Sequence, residues 1–373
     1  MSLDLSLNED EEILKSAAMN FLQREVPKDT LQSLLDSDTG YTAGIWKKAV
    51  EMGWMGILIP EEYGGTGYPL TTAGVLFEAL GTGPLPGPYF SSGILGSLII
   101  MEAGSSAQKE DILPDVSEGK IVLAPALTEA EYGWTDAGIK TVAEEKNGDF
   151  ELNGTKLFIP EAQTASHFIV LARTGTGLSL FFLDSKTDGV SVRRLPGYLA
   201  GRSFEVRLNS VKVSKANLLG EKNQGWQALE RAINKSIPVL CAYKVGGCQA
   251  AFEIALDYSR VRVQFGQPIG RFQRVQDMII EMVNHVDAAR WTTYEALWKL
   301  DTQRPASESI HLAKAVASEA YWQVCTLGHR AISGISYSME HPLAFHTRTS
   351  RYLYNYLGEP AFHRHRLAQI LTS

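Results

Sequence analysis

The sequence predicts an α+β protein that is mainly α, on three features. Apolar residues recur at helical spacing from Asn8 to about Glu118. Strand-like alternation broken by turn residues replaces them from near Ile121. Helical periodicity returns after Gly225 and persists. The expected organisation is a helical N-terminal domain over residues 1–121, a middle β-domain over 122–222 and a C-terminal four-helix bundle over 223–373. A chain of 373 residues has room for such a division and for a sizeable core.

Asn8 is placed to cap a helix through Glu9 to Gln23, with Ile13, Leu14, Ala17, Phe21 and Leu22 on one face. Trp46–Met52, Leu70–Leu80 and Ser91–Glu102 read as further helices. Gly56–Pro60 reads as a short buried segment. Gly81–Pro88, dense in proline and glycine, must be a loop. Within the β-domain, Phe150–Ile159 alternates around a candidate hairpin turn at Asn153-Gly154. His167–Arg173, Leu178–Leu183, Val190–Leu195 and Phe204–Val213 read as strands. Trp226–Gln264, Gln273–Leu300, Ser307–Arg330 and Tyr352–Leu371 read as the long helices of the bundle, the last interrupted near Gly358-Glu359-Pro360.

Charge and composition exclude several classes. The net charge is −7, whereas a nucleic-acid partner needs a basic footprint. Arg193-Arg194 reads as solvated surface. Cys241, Cys248 and Cys325 have no metal-ligand spacing and no paired framework, which fits small core residues in a reducing compartment. No metal site is expected. The acidic start, Met1–Glu12, has no targeting pattern, and the apolar run Gly93–Met101 is too short to span a bilayer. These features predict a soluble, cytoplasmic protein.

Four segments carry more specific information: Pro60-Glu-Glu-Tyr-Gly-Gly-Thr-Gly67, Ala126-Leu-Thr-Glu129, Leu152-Asn-Gly-Thr-Lys156, and Arg262-Val-Gln-Phe-Gly-Gln-Pro-Ile269 followed by Phe272-Gln273. In this order and spacing they resemble the acyl-CoA dehydrogenase family, over nearly the whole chain. The resemblance implies a β-barrel-like middle domain and FAD as cofactor. It places Leu127 and Thr128 along the flavin, where amides and a hydroxyl can satisfy ring oxygens and nitrogens. Gly133 and Thr135 lie nearby, Gly133 allowing close backbone approach. Arg262 becomes a pyrophosphate ligand for the FAD of a neighbouring subunit, by its bidentate fork. Gln264, Phe265 and Gln273 flank the adenosine end. No Gly-x-Gly-x-x-Gly opens a helix after a strand, so this is not a Rossmann flavin site.

The chain departs from the family at the catalytic base. The family's reaction needs a carboxylate to take the α-proton of a CoA thioester while hydride leaves the β-carbon. By resemblance the two positions where family members keep that glutamate are Leu357 and Ser236 here. The aromatic-Ile-Thr/Ser segment against the flavin becomes Phe158-Ile159-Pro160, keeping the aromatic and losing the hydroxyl. A CoA-contacting arginine position holds Ile237. A glycine-rich run becomes Ser333-Gly334-Ile335-Ser336, with Arg330 where glutamine is usual. The tail from Glu340 resembles a bacterial branch whose members often lack both glutamates, and some relatives work as paired unlike subunits.

Glu359 is the candidate replacement base, nearest by sequence, with helix-end capping as its alternative role. Glu340, His341 and His346 form a second candidate acid–base group against surface or packing roles. His363 and His365 read as solvated. Tyr243 and Ser236 are candidate substrate contacts on a helix facing the acyl pocket, with a core tyrosine as the alternative. The leading functional expectation is an FAD-dependent oxidoreductase on the Cα–Cβ bond of an acyl-CoA, exchanging electrons with an electron-transferring flavoprotein. The alternatives are a non-catalytic or half-catalytic subunit of a hetero-oligomer, and a non-oxidative CoA-thioester enzyme on the same scaffold. A homo- or hetero-oligomer, dimer or tetramer, is expected because the family's FAD site crosses an interface.

Overall fold

A computed structural model of the protein describes residues 6–37, 39–131, 134–197 and 202–372. The N-terminal part is built from α1 (Glu9–Glu25), α2 (Lys28–Asp36), α3 (Ala43–Glu51), α4 (Leu70–Gly81), α5 (Ser97–Ala103) and α6 (Ser106–Ser117). Asn8 starts α1 as expected. Its side chain accepts the Glu11 amide at 3.0 Å while Glu11 reaches back to the Asn8 amide at 3.1 Å, so two orphan donors are satisfied reciprocally. The other Glu11 oxygen takes the Thr72 hydroxyl at 2.9 Å and ties α1 to α4.

The β-domain contains β1 (Leu123–Ala126), β2 (Val142–Lys146), β3 (Asp149–Pro160), β4 (His167–Thr174), β5 (Gly177–Asp184), β6 (Val190–Arg194), β7 (Ser203–Val213) and β8 (Leu218–Leu219). They make one mixed sheet in the order β6-β7-β3-β2-β4-β5-β8, with β1 pairing β4 in parallel. Alternation divides the two cores. On β4, Phe168, Val170 and Ala172 face the interior of the β-domain, while Ile169 and Leu171 join the helical core. The Asn153-Gly154 hairpin is not formed. The turn is Asn147-Gly148, with φ of 55° and 90°. β3 runs straight through Asn153-Gly154 with a register shift against β7. A Cβ at Gly154 would lie 2.3 Å from the Thr141 hydroxyl, so this glycine serves a bulge and a close approach, not a turn.

The C-terminal part holds α7 (Gly225–Val261), α8 (Gln273–Asp301), α9 (Ser307–Ile332), α10 (Pro342–Tyr354) and α11 (Pro360–Thr372). α7, α8 and α9 pack pairwise, α10 and α11 lie on α9, and α4 joins the bundle against α7 and α8. The expected fourth helix is therefore two. α10 begins ahead of Tyr352 because His341 caps it and Pro342 supplies a preset φ at its first turn. α7 stops at Val261, short of Gln264, because Val263–Gln264 pairs with Gln267–Pro268 around a Phe265-Gly266 turn with φ of 51° and 80°. α7 is long and apolar enough to cross a bilayer, yet 61% of its most apolar window is buried within the protein, as for a bundle's central helix.

Candidate functional site

Two adjoining cavities open where the β-domain meets the helices. The smaller is a cleft walled by Leu127, Thr128, Phe158, Pro160, Tyr356 and Leu357, among others. The larger extends between α4, α7, α10 and the end of β3, and shares Pro160 and Tyr356 with the cleft. Their positions follow from local structure. Beyond β1 the chain leaves the sheet, and the Thr128 carbonyl accepts the Leu157 amide at 2.9 Å while its hydroxyl donates to the Leu157 carbonyl. Opposite, β3 loses register between Lys156 and Ile159. Phe158 takes a φ of 59° and stays 46% exposed in the cleft. An aromatic residue in the left-handed region is strained and persists only where neighbours over-determine it.

Behind this wall, Glu129 and Lys156 form a buried ion pair at 2.7 Å. The Glu129 carboxylate also takes the Lys140 and Thr141 amides at 2.7 and 3.1 Å. Burial pushes the Glu129 carboxyl up, but Lys156 and these N–H groups outweigh it and hold it below its ordinary value. Burial brings Lys156 down to about 8, with Glu129 opposing.

Of the other singled-out residues among those described, Tyr243 borders a cavity and the rest line neither. Ser236 is buried within α7, its hydroxyl donating to the Ile233 carbonyl at 2.9 Å. Tyr243 lines the larger cavity and donates to the Leu85 carbonyl at 3.3 Å. Glu359 is half-buried and lines neither cavity; its charge faces Lys314. Glu340 is exposed, His341 caps α10, and His346 is buried against the Tyr321 hydroxyl at 3.0 Å, so these three do not form one group. Thr135 is exposed, and Gly133 lies outside the described residues. Arg262, Gln264 and Gln273 are exposed around the short hairpin, and Phe265 at its tip is 93% exposed.

Glu161 is the residue that sequence reasoning missed. It directly follows Phe158-Ile159-Pro160 and is the one carboxylate among the described residues lining the two cavities. Burial pushes its carboxyl up to about 7, with the Arg202 guanidinium opposing. The available signal was an acid directly after an apolar strand end that the resemblance sets against the flavin.

His363 corrects another expectation: it is only 1% exposed, because α11 packs this face onto α9. Its Nε2–H donates to the Leu357 carbonyl at 2.9 Å, which leaves its Nδ1 to accept from His311 at 2.9 Å. Lys314 donates to the Gly358 carbonyl at 2.6 Å. The Leu357-Gly358 turn, with φ of 57° and 98°, is thus held from behind by a buried polar cluster. Among the described residues no group of His, Cys, Asp and Glu is arranged to hold a metal.

These buried imidazoles predict acid lability. Burial lowers His346 from 6.5 to about 4, and His311 and His363 are lowered to about 4 and about 3. Between these values and 6.5 the unfolded chain binds protons that the folded chain does not, so stability falls as pH falls through that window. His346 alone corresponds to on the order of 3 kcal/mol. Urea midpoints at about pH 7 and about pH 4.5 should differ markedly in the wild type, and His346→Gln should narrow the gap. An unchanged gap would remove His346 from the explanation.

Comparison with known proteins agrees with this architecture. Residues 8–120, 124–211 and 223–372 match the models of the acyl-CoA dehydrogenase N-terminal, middle and C-terminal domains. The chain is 30% identical to the 3-(aryl)acrylate reductase of Clostridium sporogenes, over 94% of this chain and 95% of that one. It is also 30% identical to the glutaryl-CoA dehydrogenase of Desulfococcus multivorans, over 92% and 91%. The butyryl-CoA dehydrogenase structure from Megasphaera elsdenii superposes with a TM-score of 0.92 over 100% of both chains, at 25% identity. With the three domains matched in order across nearly its whole length, the chain belongs to the acyl-CoA dehydrogenase family.

Proposed function

We propose that the protein is a cytoplasmic FAD-dependent oxidoreductase acting on the Cα–Cβ bond of an acyl-CoA thioester, with an electron-transferring flavoprotein as its redox partner. One observation supports this most: the strained Phe158, Pro160 and Thr128 border a cleft that shares a wall, Pro160 and Tyr356, with a mostly apolar cavity between α4, α7 and α10. The residues present fit FAD. Leu127, Thr128, Phe158 and Pro160 offer backbone, a hydroxyl and flat apolar surface for the ring. Arg262, Gln264, Phe265 and Gln273 offer a fork, amides and an aromatic for the pyrophosphate and adenosine of a neighbouring subunit's cofactor. Bound there, FAD supplies the two-electron acceptor or donor. The chain's own residues position the acyl group and exclude water from it.

A second reading, that the chain works as one half of a pair of unlike subunits, is favoured by Leu357. This buried leucine lines the cleft at the position the family gives to its glutamate, and Glu359 stays out of both cavities. The two readings separate on the chain purified alone. Visible flavin absorption with turnover of an acyl-CoA supports the first. A colourless chain that gains flavin and activity only on mixing with a paralogous partner supports the second. Failure to bind flavin or any CoA thioester under either condition sinks both.

Arg262→Ala should weaken FAD retention about 10- to 100-fold, the loss of one charge-assisted hydrogen bond. The ratio of flavin to protein absorbance after gel filtration measures it. An unchanged ratio would place the pyrophosphate elsewhere.

A further inference from the structure

The larger cavity is mostly apolar, with Phe77, Leu80, Phe90 and Leu240 among its walls, yet buried polar atoms without a hydrogen-bond partner also line it, among them the Tyr89 hydroxyl, the Ser91 hydroxyl and Glu161 Oε2. Tyr89 and Ser91 are each 4% exposed and Glu161 is 8% exposed. They come from two separate parts of the fold, the loop and helical turn ahead of α5 and the end of β3, and converge on one space. Buried polar groups are nearly always paired, and each exception asks for a partner. A pocket for a plain alkyl chain gains nothing from such groups and would be more stable without them. Glu161 is held there at a cost, since its φ of 56° lies in the left-handed region. Its backbone is fixed on both sides: its N–H donates to the Arg202 carbonyl at 3.3 Å, and its carbonyl accepts the Thr164 amide at 3.0 Å.

We infer that this cavity takes an acyl group carrying a neutral oxygen, a hydroxyl or a ketone, along its chain, hydrogen-bonded by Glu161, Tyr89 and Ser91. The inference rests on the reading of the site as one for acyl-CoA thioesters. The chemistry narrows the class further. A hydroxyl can donate to the Glu161 carboxylate and accept from Tyr89 or Ser91, and a ketone can accept from either hydroxyl or from a protonated Glu161. An acyl group ending in a carboxylate would meet Glu161 as a like charge. The Arg202 guanidinium, which also borders the cavity, donates through Nε and Nη2 to the Leu34, Leu35 and Ser37 carbonyls at the C-terminal end of α2.

The test is binding of matched CoA thioesters to the full chain carrying its flavin, by calorimetry: hexanoyl and octanoyl, their ω- and mid-chain hydroxy and keto counterparts, and adipyl. At least one oxygenated thioester should bind about 10- to 100-fold tighter than its alkyl match, the range for a hydrogen bond to a charged or polar buried group, and adipyl-CoA should bind most weakly. Tyr89→Phe and Glu161→Leu should shrink that preference towards one while leaving hexanoyl-CoA affinity equal or improved. Ser91→Ala provides the same reading should Glu161→Leu fail to fold. Alkyl thioesters binding as tightly as every oxygenated one would overturn the inference and leave the CoA-thioester reading standing. Binding of no thioester would overturn both. Loss of α-proton exchange on bound hexanoyl-CoA in Glu161→Gln would also overturn it, by placing Glu161 at the reacting carbon.

Discussion

Replacing Lys156 with alanine should destabilise the protein by about 3–5 kcal/mol, the cost of leaving a buried charge without its partner. Lys156 is fully buried and meets Glu129 at 2.7 Å. Without it, the Glu129 carboxylate would remain buried on only the Lys140 and Thr141 amides. Replacing both residues, as Glu129→Gln with Lys156→Met, should cost clearly less than Lys156→Ala, because no unpaired charge remains. Denaturant unfolding of the wild type, the single variant and the double variant gives the comparison. Flavin content should fall with Lys156→Ala as well, since Glu129 is the neighbour of Thr128 and anchors that segment beside β3. A single-variant loss below about 1 kcal/mol, the level of an exposed pair, would mean the pair is not buried in solution.

This ion pair also shows what the sequence made visible and what it did not. Ala126–Glu129 and Leu152–Lys156 stood out as separate motifs, and nothing in either revealed that Glu129 and Lys156 join them. That contact depends on tertiary packing of β1 against the end of β3. The long helices were legible because each keeps an apolar stripe over many turns, and the start of α1 because Asn8 and Glu11 form a local capping box. Asn153-Gly154 misled because the same dipeptide serves a turn or a bulge, and only the close approach of Thr141 decides between them. His363 misled because its flanking arginines are polar, while the face of α11 that meets α9 is set by the break at Leu357-Gly358. Glu161 stayed hidden for a different reason. A lone acid after a strand reads as solvated, and the groups around it here, Arg202, Tyr89 and Tyr352, are all distant in sequence.

Leu357→Glu should raise α-proton exchange on a bound acyl-CoA by about 10²- to 10⁴-fold, the usual worth of a positioned general base. Leu357 already lines the cleft beside Thr128 and Phe158, and its backbone is pinned by the His363 bond to its carbonyl and the Lys314 bond to the next one. A carboxylate introduced there would inherit a fixed position. Burial among Pro125, Ile159 and Tyr356 would raise its pKa toward neutrality, where a base both holds and releases a proton effectively. Leu357→Gln is the control, matching the size and polarity of glutamate without the proton acceptor. Exchange is followed by deuterium incorporation into a bound thioester, which does not require net oxidation or a redox partner. A large gain in Leu357→Glu and none in Leu357→Gln would establish that this chain keeps the reactive geometry and lacks only the base. That outcome fits a subunit whose partner carries the chemistry, or an enzyme run with a base supplied from elsewhere. Equal exchange in the wild type and both variants, with flavin content and melting temperature preserved, would show that the α-carbon does not approach Leu357, and the family's substrate orientation would then not apply to this cleft.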